Sequence, residues 1–162
     1  MATEAPSSCN RQAFRFRFFE DPDAIQRVAR LAPGTGGFAH NIPMLAVILG
    51  DLSAYHGERD RHGIYIDASL ASMSFMLALE TLGLSSCALN WPDVAWRERK
   101  MARVLALRPH ERVIMLMAIG HADPDGLVAY SHKHAPERLR TFVERVPVPE
   151  ASGAAAEGSG HE

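Results

Sequence analysis

The chain has 162 residues, of which 47% are hydrophobic and 22% charged. That is the make-up of a soluble globular protein, long enough for one domain with a real core. A formal net charge of −2 gives no electrostatic ground for binding nucleic acid or an anionic membrane.

Met1 to Glu4 carry no structural signal. Ala5 to Gln12 (APSSCNRQ) is a polar turn dense in hydrogen-bonding side chains. Ala13 to Phe19 alternates, with Phe14, Phe16 and Phe18 on one face and Arg15 and Arg17 on the other. That predicts a half-buried strand whose arginine face is solvated. Asp21 and Pro22 open a helix, the first as cap and the second at the first helical position. The helix runs to about Leu31, with Ile25, Val28 and Leu31 inward. Gly34-Thr35-Gly36-Gly37 fits neither the Walker pattern nor the dinucleotide fingerprint and reads as a flexible loop. Met44 to Leu49 (MLAVIL) is a continuous apolar run, as a strand buried on both faces would be.

Asp51 to His62 is a polar connection into the stretch that organises the chain. From Ile64 to Leu82 nearly every residue is apolar or small, and Ile66, Leu70, Met73 and Leu77 repeat at helical spacing. Apolar residues lie nearly all round, so a long central helix with little solvent-facing surface is expected. Its length raises the question of a membrane span. Asp67, Glu80 and several serines favour a buried helix of a soluble domain or a dimer core. Gly83 sits where a left-handed cap falls. Ser85 to Leu89 is a short strand, ended by Asn90-Trp91-Pro92-Asp93. An amphipathic helix to about Leu105 follows, with Trp96, Met101, Val104 and Leu105 inward and Arg97 to Lys100 solvated. Arg112 to Gly120 is another central strand, Leu127 to Tyr130 is short and extended, and a last helix spans Pro136 to Val143. Pro147 to Glu162 is Pro, Ala, Gly, Ser and acids, and reads as a disordered tail.

The order β, α, β, long α, β, α, β argues an α/β or α+β sheet with helices packed on it. No internal repeat is visible. Cys9 and Cys87 show neither metal-ligand spacing nor a disulfide framework and fit a reducing cytoplasm. The polar first residues lack the apolar run of a signal peptide.

Hydrolytic chemistry finds no support, because Ser85, Ser86 and Ser131 lack a nucleophile elbow. Of the eight histidines, His132 and His134 share a face if extended. With His121 they could make a metal site, although exposed tail histidines are the plainer reading. Cys87, in a strand expected to be buried, reads as packing rather than nucleophile. Paired carboxylates are not evident. What remains is a set of neutral donors and acceptors on loops: Ser7, Ser8, Asn10, Gln12 and Asn90. Singly each fits turn chemistry. Together they suit a polar, planar ligand, and a cofactor that carries the chemistry would explain the missing acid, base and nucleophile.

Three stretches carry a resemblance. APSSCNRQAFRF resembles the Ala-Pro-Ser-Ser-x-Asn-x-Gln-Pro motif of the nitroreductase-like flavoprotein family, YIDASLASMSFMLALETLGLSSCALNW its central helix and following strand-loop, and VIMLMAIGHADPDGLVAYSHK its last core strand and basic tail. DRHGIYID and NWPD look like a branch associated with bacterial polysaccharide gene clusters. The likeness runs from about Ala5 to Arg140. It implies an α+β sandwich over residues 5–146, with a mixed or antiparallel central sheet packed by helices and a long buried central helix. It also implies a homodimer with FMN at the interface, taking hydride from NADH or NADPH and passing electrons to a nitroaromatic, quinone or similar small-molecule acceptor in the cytoplasm.

Residue by residue, the resemblance puts Pro6, Ser7, Ser8 and Asn10 on the motif that reaches the flavin of the partner subunit, and Gln12 on its glutamine. Leu89, Asn90 and Trp91 fall on the loop over the flavin ring. The backbone N–H matched by Asn90 approaches the reactive ring nitrogen in such proteins. Ser131 and Lys133 fall on the segment near the FMN phosphate, where a lysine grips less directionally than an arginine fork. No side chain is assigned a catalytic role, since the flavin carries the chemistry. Two departures stand out: Ala13 replaces a proline, and the Arg-x-Ser-x-Arg signature that opens the family's first helix is absent. A second reading is therefore a truncated, non-catalytic member that serves as a dimerisation or ligand-binding module.

Overall fold

The computed structural model describes residues 2–143. The chain divides into two compact units, Met1–Gly126 and Leu127–Glu162. The tail expected over 147–162 lies outside the described residues.

The first unit is α+β. Its sheet has four strands: β1 (Phe14–Phe19), β2 (Met44–Asp51), β3 (Ser85–Asn90) and β4 (Glu111–Gly120). They lie in the order β1-β2-β4-β3, and all three pairings are antiparallel. The apolar runs of β2 and β4 therefore sit at the centre, where both faces need covering. Leu45, Ala46, Val47 and Ile48 are all fully buried.

Two apolar layers form, one on each face. On one side α1 (Pro22–Ala29) and α3 (Ala95–Leu105) cover the sheet, with Ile25, Val28, Ala29, Met101 and Leu105 packed against Leu45, Val47, Val113 and Leu116. α1 starts as its sequence dictates, because the Asp21 carboxylate accepts from the Ala24 N–H at 2.7 Å and Pro22 opens the first turn. On the other side lies α2 (Gly63–Thr81), with Ile64, Ala68 and Leu79 against Ala46, Ile48, Met117 and Ile119. Phe16 of β1 reaches the ring of Phe75 on α2, with centroids 5.1 Å apart.

α2 ends as expected, with Gly83 at a φ of +72° just beyond it. Its surroundings differ from the sequence expectation. The buried face is made of Ile64, Asp67, Ala68, Ala71, Ser72 and Leu79. The heavier apolar residues Ile66, Leu70, Met73 and Leu77 stand 43–59% exposed. Small residues face the sheet because they let the helix lie close to it, and the bulky stripe is left facing out of the single chain. By length and composition α2 could cross a membrane, yet its packing on the sheet is that of a core helix.

Smaller expectations need correcting. Residues Ala2–Glu4 form a short 3-10 turn. Trp96 and Val104 do not point inward; they are exposed, and α3 is held by Met101 and Leu105. Arg97 and Glu98 are not a merely solvated face, since Arg97 donates to the Leu31 carbonyl and Glu98 accepts from Trp91. Cys87 is exposed rather than buried, because β3 is an edge strand. On the strand face expected to be solvated, Arg17 donates to the Leu105 carbonyl and Arg15 pairs with Asp51 at 3.2 Å. In the second unit the helix α4 spans only Pro136–Leu139, shorter than the periodicity suggested.

Candidate functional site

The Pro6–Gln12 segment folds into a tight loop, in line with the polar turn read from its sequence. Ser8 to Asn10 makes one 3-10 turn. Cys9, Asn10 and Gln12 all take left-handed backbone, with φ of 51°, 55° and 50°. Three such residues without a glycine among them form an unusual local strain that the surroundings must hold. Part of the hold is internal. The Gln12 N–H donates to Ser7 Oγ at 3.0 Å, and Gln12 Nε2 donates to Asn10 Oδ1 at 3.1 Å.

The rest comes from α2. The Ser8 N–H donates to both carboxylate oxygens of Asp67, at 3.2 and 3.0 Å. Asp67 is 3% exposed. The Tyr55 hydroxyl also donates to Asp67, and the Arg11 guanidinium lies over the Tyr55 ring at 5.3 Å. Burial, then the Asp67 hydrogen bond and charge, push the Tyr55 phenol well above its ordinary pKa, so it stays a proton donor. Gly63 makes room for this ring, because a Cβ there would stand 2.6 Å from Tyr55 Cε1.

A cleft of about 380 Å³ opens beside this loop, lined by Pro6, Ser7 and Ser8 on one side and Ile66, Asp67 and Leu70 of α2 among others. It combines a few polar groups with an apolar wall, the usual chemistry of a small-molecule site. Asn10 and Gln12 brace the loop and do not line the cleft.

Leu89, Asn90 and Trp91 do not line it either. Leu89 and Trp91 belong to the apolar layer under α1 and α3, and Asn90 is exposed. The Trp91 indole N–H donates to the Glu98 carboxylate. Burial pushes the Glu98 carboxyl up, against the Trp91 bond and Arg112, which favour its charge. Tyr65, in the first turns of α2, is pushed up by burial and by the charges of Asp93 and Glu98. So Asp67 tethers one loop to α2, and two residues earlier Tyr65 meets the charges of the other. Ser131 and Lys133 belong to the second unit, where both are exposed and outside helix or strand. Among the described residues no three His, Cys, Asp or Glu side chains gather to hold a metal.

Sequence reasoning missed Asp67, Tyr55 and Gly63 as site residues. The available signal was one acid on the first turns of an otherwise apolar helix, with a tyrosine and a glycine in the connection before it.

An antiparallel four-stranded sheet, with a long helix whose outward apolar stripe borders a loop-lined cleft, defines the chain as an α+β protein. The Nitroreductase family profile matches residues 26–121, and the chain belongs to the nitroreductase family. The matched segment contains α2 and Leu89–Trp91; the Pro6–Gln12 loop, Ser131 and Lys133 lie outside it. No curated protein sequence matches. Among solved structures, the chain is similar to an FMN-dependent nitroreductase from Clostridium difficile R20291, at 23% identity over 87% of this chain and 81% of that one, with a TM-score of 0.71. It is similar to a nitroreductase family protein from Streptococcus pneumoniae TIGR4, at 18% identity over 87% and 84%, with a TM-score of 0.74. A third, from Clostridium novyi NT, shares 20% identity over 76% and 69%, with a TM-score of 0.66. At such identities the likeness is one of fold.

Proposed function

We propose that the protein is an FMN-dependent oxidoreductase that works as a cytoplasmic homodimer, with residues 5–146 as its working domain. Hydride would come from NADH or NADPH, and electrons would pass to a nitroaromatic, quinone or similar acceptor. The carrying observation is the cleft itself: the hydrogen-bonding loop Pro6–Ser8 faces the exposed apolar residues Ile66 and Leu70. A site that opens on an outward apolar stripe fits a ligand shared with a second copy. That the similar C. difficile protein is an FMN-dependent nitroreductase agrees with this reading.

The residues present fit a flavin. Ser7 and Ser8 offer neutral hydrogen-bonding groups at the cleft, which suit an uncharged heterocycle, and Asn10 would hold their loop in shape. Ile66 and Leu70 give an apolar wall for a flat ring. Gln12 would brace the loop, Leu89, Asn90 and Trp91 would supply the second loop, and Ser131 and Lys133 would meet the phosphate. When bound, FMN would supply the hydride and electron chemistry. The chain's own contribution is to orient the ring, exclude water along the apolar stripe, and donate hydrogen bonds where negative charge develops.

The test is the absorption spectrum of the purified protein before and after incubation with FMN and desalting. Retained flavin bands, together with NADH or NADPH oxidation, are expected. A colourless dimer that takes up no FMN would overturn the reading in favour of a non-catalytic module.

A further inference from the structure

The buried acid on α2 has no role in the reading above. Asp67 lies on the face of α2 that is otherwise apolar or small, yet it is 3% exposed. No lysine or arginine pairs with it among the described residues. Placing an unpaired acid there is costly unless donors converge on it. Two do: the backbone N–H of Ser8, fifty-nine positions away in sequence, and the Tyr55 hydroxyl. A carboxylate accepting from a backbone N–H is among the stronger hydrogen bonds. Here it ties the central helix to a loop carrying three left-handed residues without glycine. Such strain persists only where the surroundings over-determine it, and it gathers at ligand sites.

We infer that Asp67 is a positioning residue: with Tyr55 as its second donor, it clamps the Pro6–Gln12 loop in the shape that presents Pro6, Ser7 and Ser8 to the cleft ligand. The clamp is assembled by packing. Gly63 admits the Tyr55 ring, and Arg11 closes over it while reaching Ser8 Oγ at 3.5 Å. Asp67 itself need not touch the ligand. Losing it would release the loop into conformations with ordinary backbone, and a ligand would have to re-order that loop on binding. The identity of the ligand as FMN rests on the proposed function; the clamp does not.

The test uses the full chain as wild type, Asp67→Asn, Tyr55→Phe and, as control, Met101→Ala in the opposite layer. Asp67→Asn keeps the size but sets an amide nitrogen against the Ser8 N–H, a donor facing a donor. FMN affinity is read by fluorescence titration well below each variant's Tm, and exchange of the Ser8 amide by hydrogen–deuterium methods. Asp67→Asn is expected to weaken FMN binding by roughly tenfold or more and to speed Ser8 exchange. Tyr55→Phe should move both readouts the same way by a smaller factor. Met101→Ala should lower Tm and leave both unchanged. Wild-type affinity and exchange in Asp67→Asn would overturn the inference, as would equal losses in Met101→Ala. If Asp67→Asn does not fold, Tyr55→Phe decides on the same criteria. If the wild type binds no FMN, the flavin reading falls while Ser8 exchange still decides the clamp.

Discussion

Gly50 of β2 lies so close beneath Ile64 of α2 that a Cβ on Gly50 would stand 2.7 Å from the Ile64 Cβ and 3.0 Å from Ile114 Cδ1. The strand needs a glycine here for space, not for an unusual backbone angle. Ile64 begins the buried face of the helix that carries Asp67, so this contact fixes the height of the site above the sheet. Gly50→Ala is expected to destabilise the fold by about 1–3 kcal/mol through overpacking, read as a Tm several degrees lower. An unchanged Tm would mean that α2 can slide outward without penalty.

The end of the sheet should respond to acid. Arg15 of β1, Asp51 of β2, Glu111 of β4 and Arg108 in the turn before it form a linked set of ion pairs, with Arg108 3.1 Å from Glu111 and 3.6 Å from Asp51. The Arg108 hydrogen bond holds the Glu111 carboxyl below its ordinary pKa, with burial opposing. For Asp51 burial also opposes charge, but the Ser53 hydrogen bonds, His110 and Arg108 outweigh it and hold that carboxyl low as well. Acids lowered in the folded state contribute stability that is complete above their unfolded pKa and is lost as pH falls through the folded value. The contribution of this ion-pair set to the urea midpoint should therefore be level from neutral pH to about 5 and fall below it. Glu111→Gln should be less stable at neutral pH and show a shallower fall. An identical pH profile in that variant would remove Glu111 from the account.

The fold was readable because its elements carry strong local signals. The Phe-Arg alternation over 14–19, the Asp21-Pro22 start, and the apolar runs of β2 and β4 each specify one element. What failed was the assignment of faces. Ile66, Leu70, Met73 and Leu77 repeat at helical spacing, yet the sheet takes Ala68, Ala71 and Ser72 instead. Periodicity gives the helix but not which stripe is covered when both sides are apolar. Trp96 and Val104 are exposed for a related reason, since Met101 and Leu105 are the residues that α3 buries. Pro6, Ser7 and Ser8, which line the cleft, were marked as candidates by the motif. Asp67 and Tyr55 were not, because their role depends on a contact fifty-nine positions away and on the room left by Gly63.

The outward stripe of α2 leads to a prediction about assembly, and it depends on the proposed homodimer. Met73 is 52% exposed and Leu77 is 55% exposed in the single chain. A glutamate at either place would sit in water in a monomer but in an apolar interface in a dimer. Met73→Glu is expected to keep the far-UV spectrum of the wild type and to convert a dimer into a monomer in light scattering after gel filtration. Retained flavin should fall with it. A Met73→Glu protein that remains dimeric would place the interface elsewhere.

Trp91 and Glu98 offer the last test, on the second loop. The indole is 8% exposed and its N–H has the Glu98 carboxylate as acceptor. Removing that acceptor strands a buried donor, at a cost of about 1–3 kcal/mol. Glu98→Ala should therefore lower Tm and shift tryptophan emission to the red as Trp91 seeks water. Burial raises the Glu98 pKa, so its sign is opposite to that of Glu111. The folded state holds the proton more tightly, and stability falls as pH rises from the ordinary carboxylate value to the raised one. Glu98→Gln keeps an acceptor and removes the charge, so it should preserve the emission spectrum and abolish that decline. Unshifted emission in Glu98→Ala would show that packing alone holds Trp91, and the loop would then owe nothing to the acid.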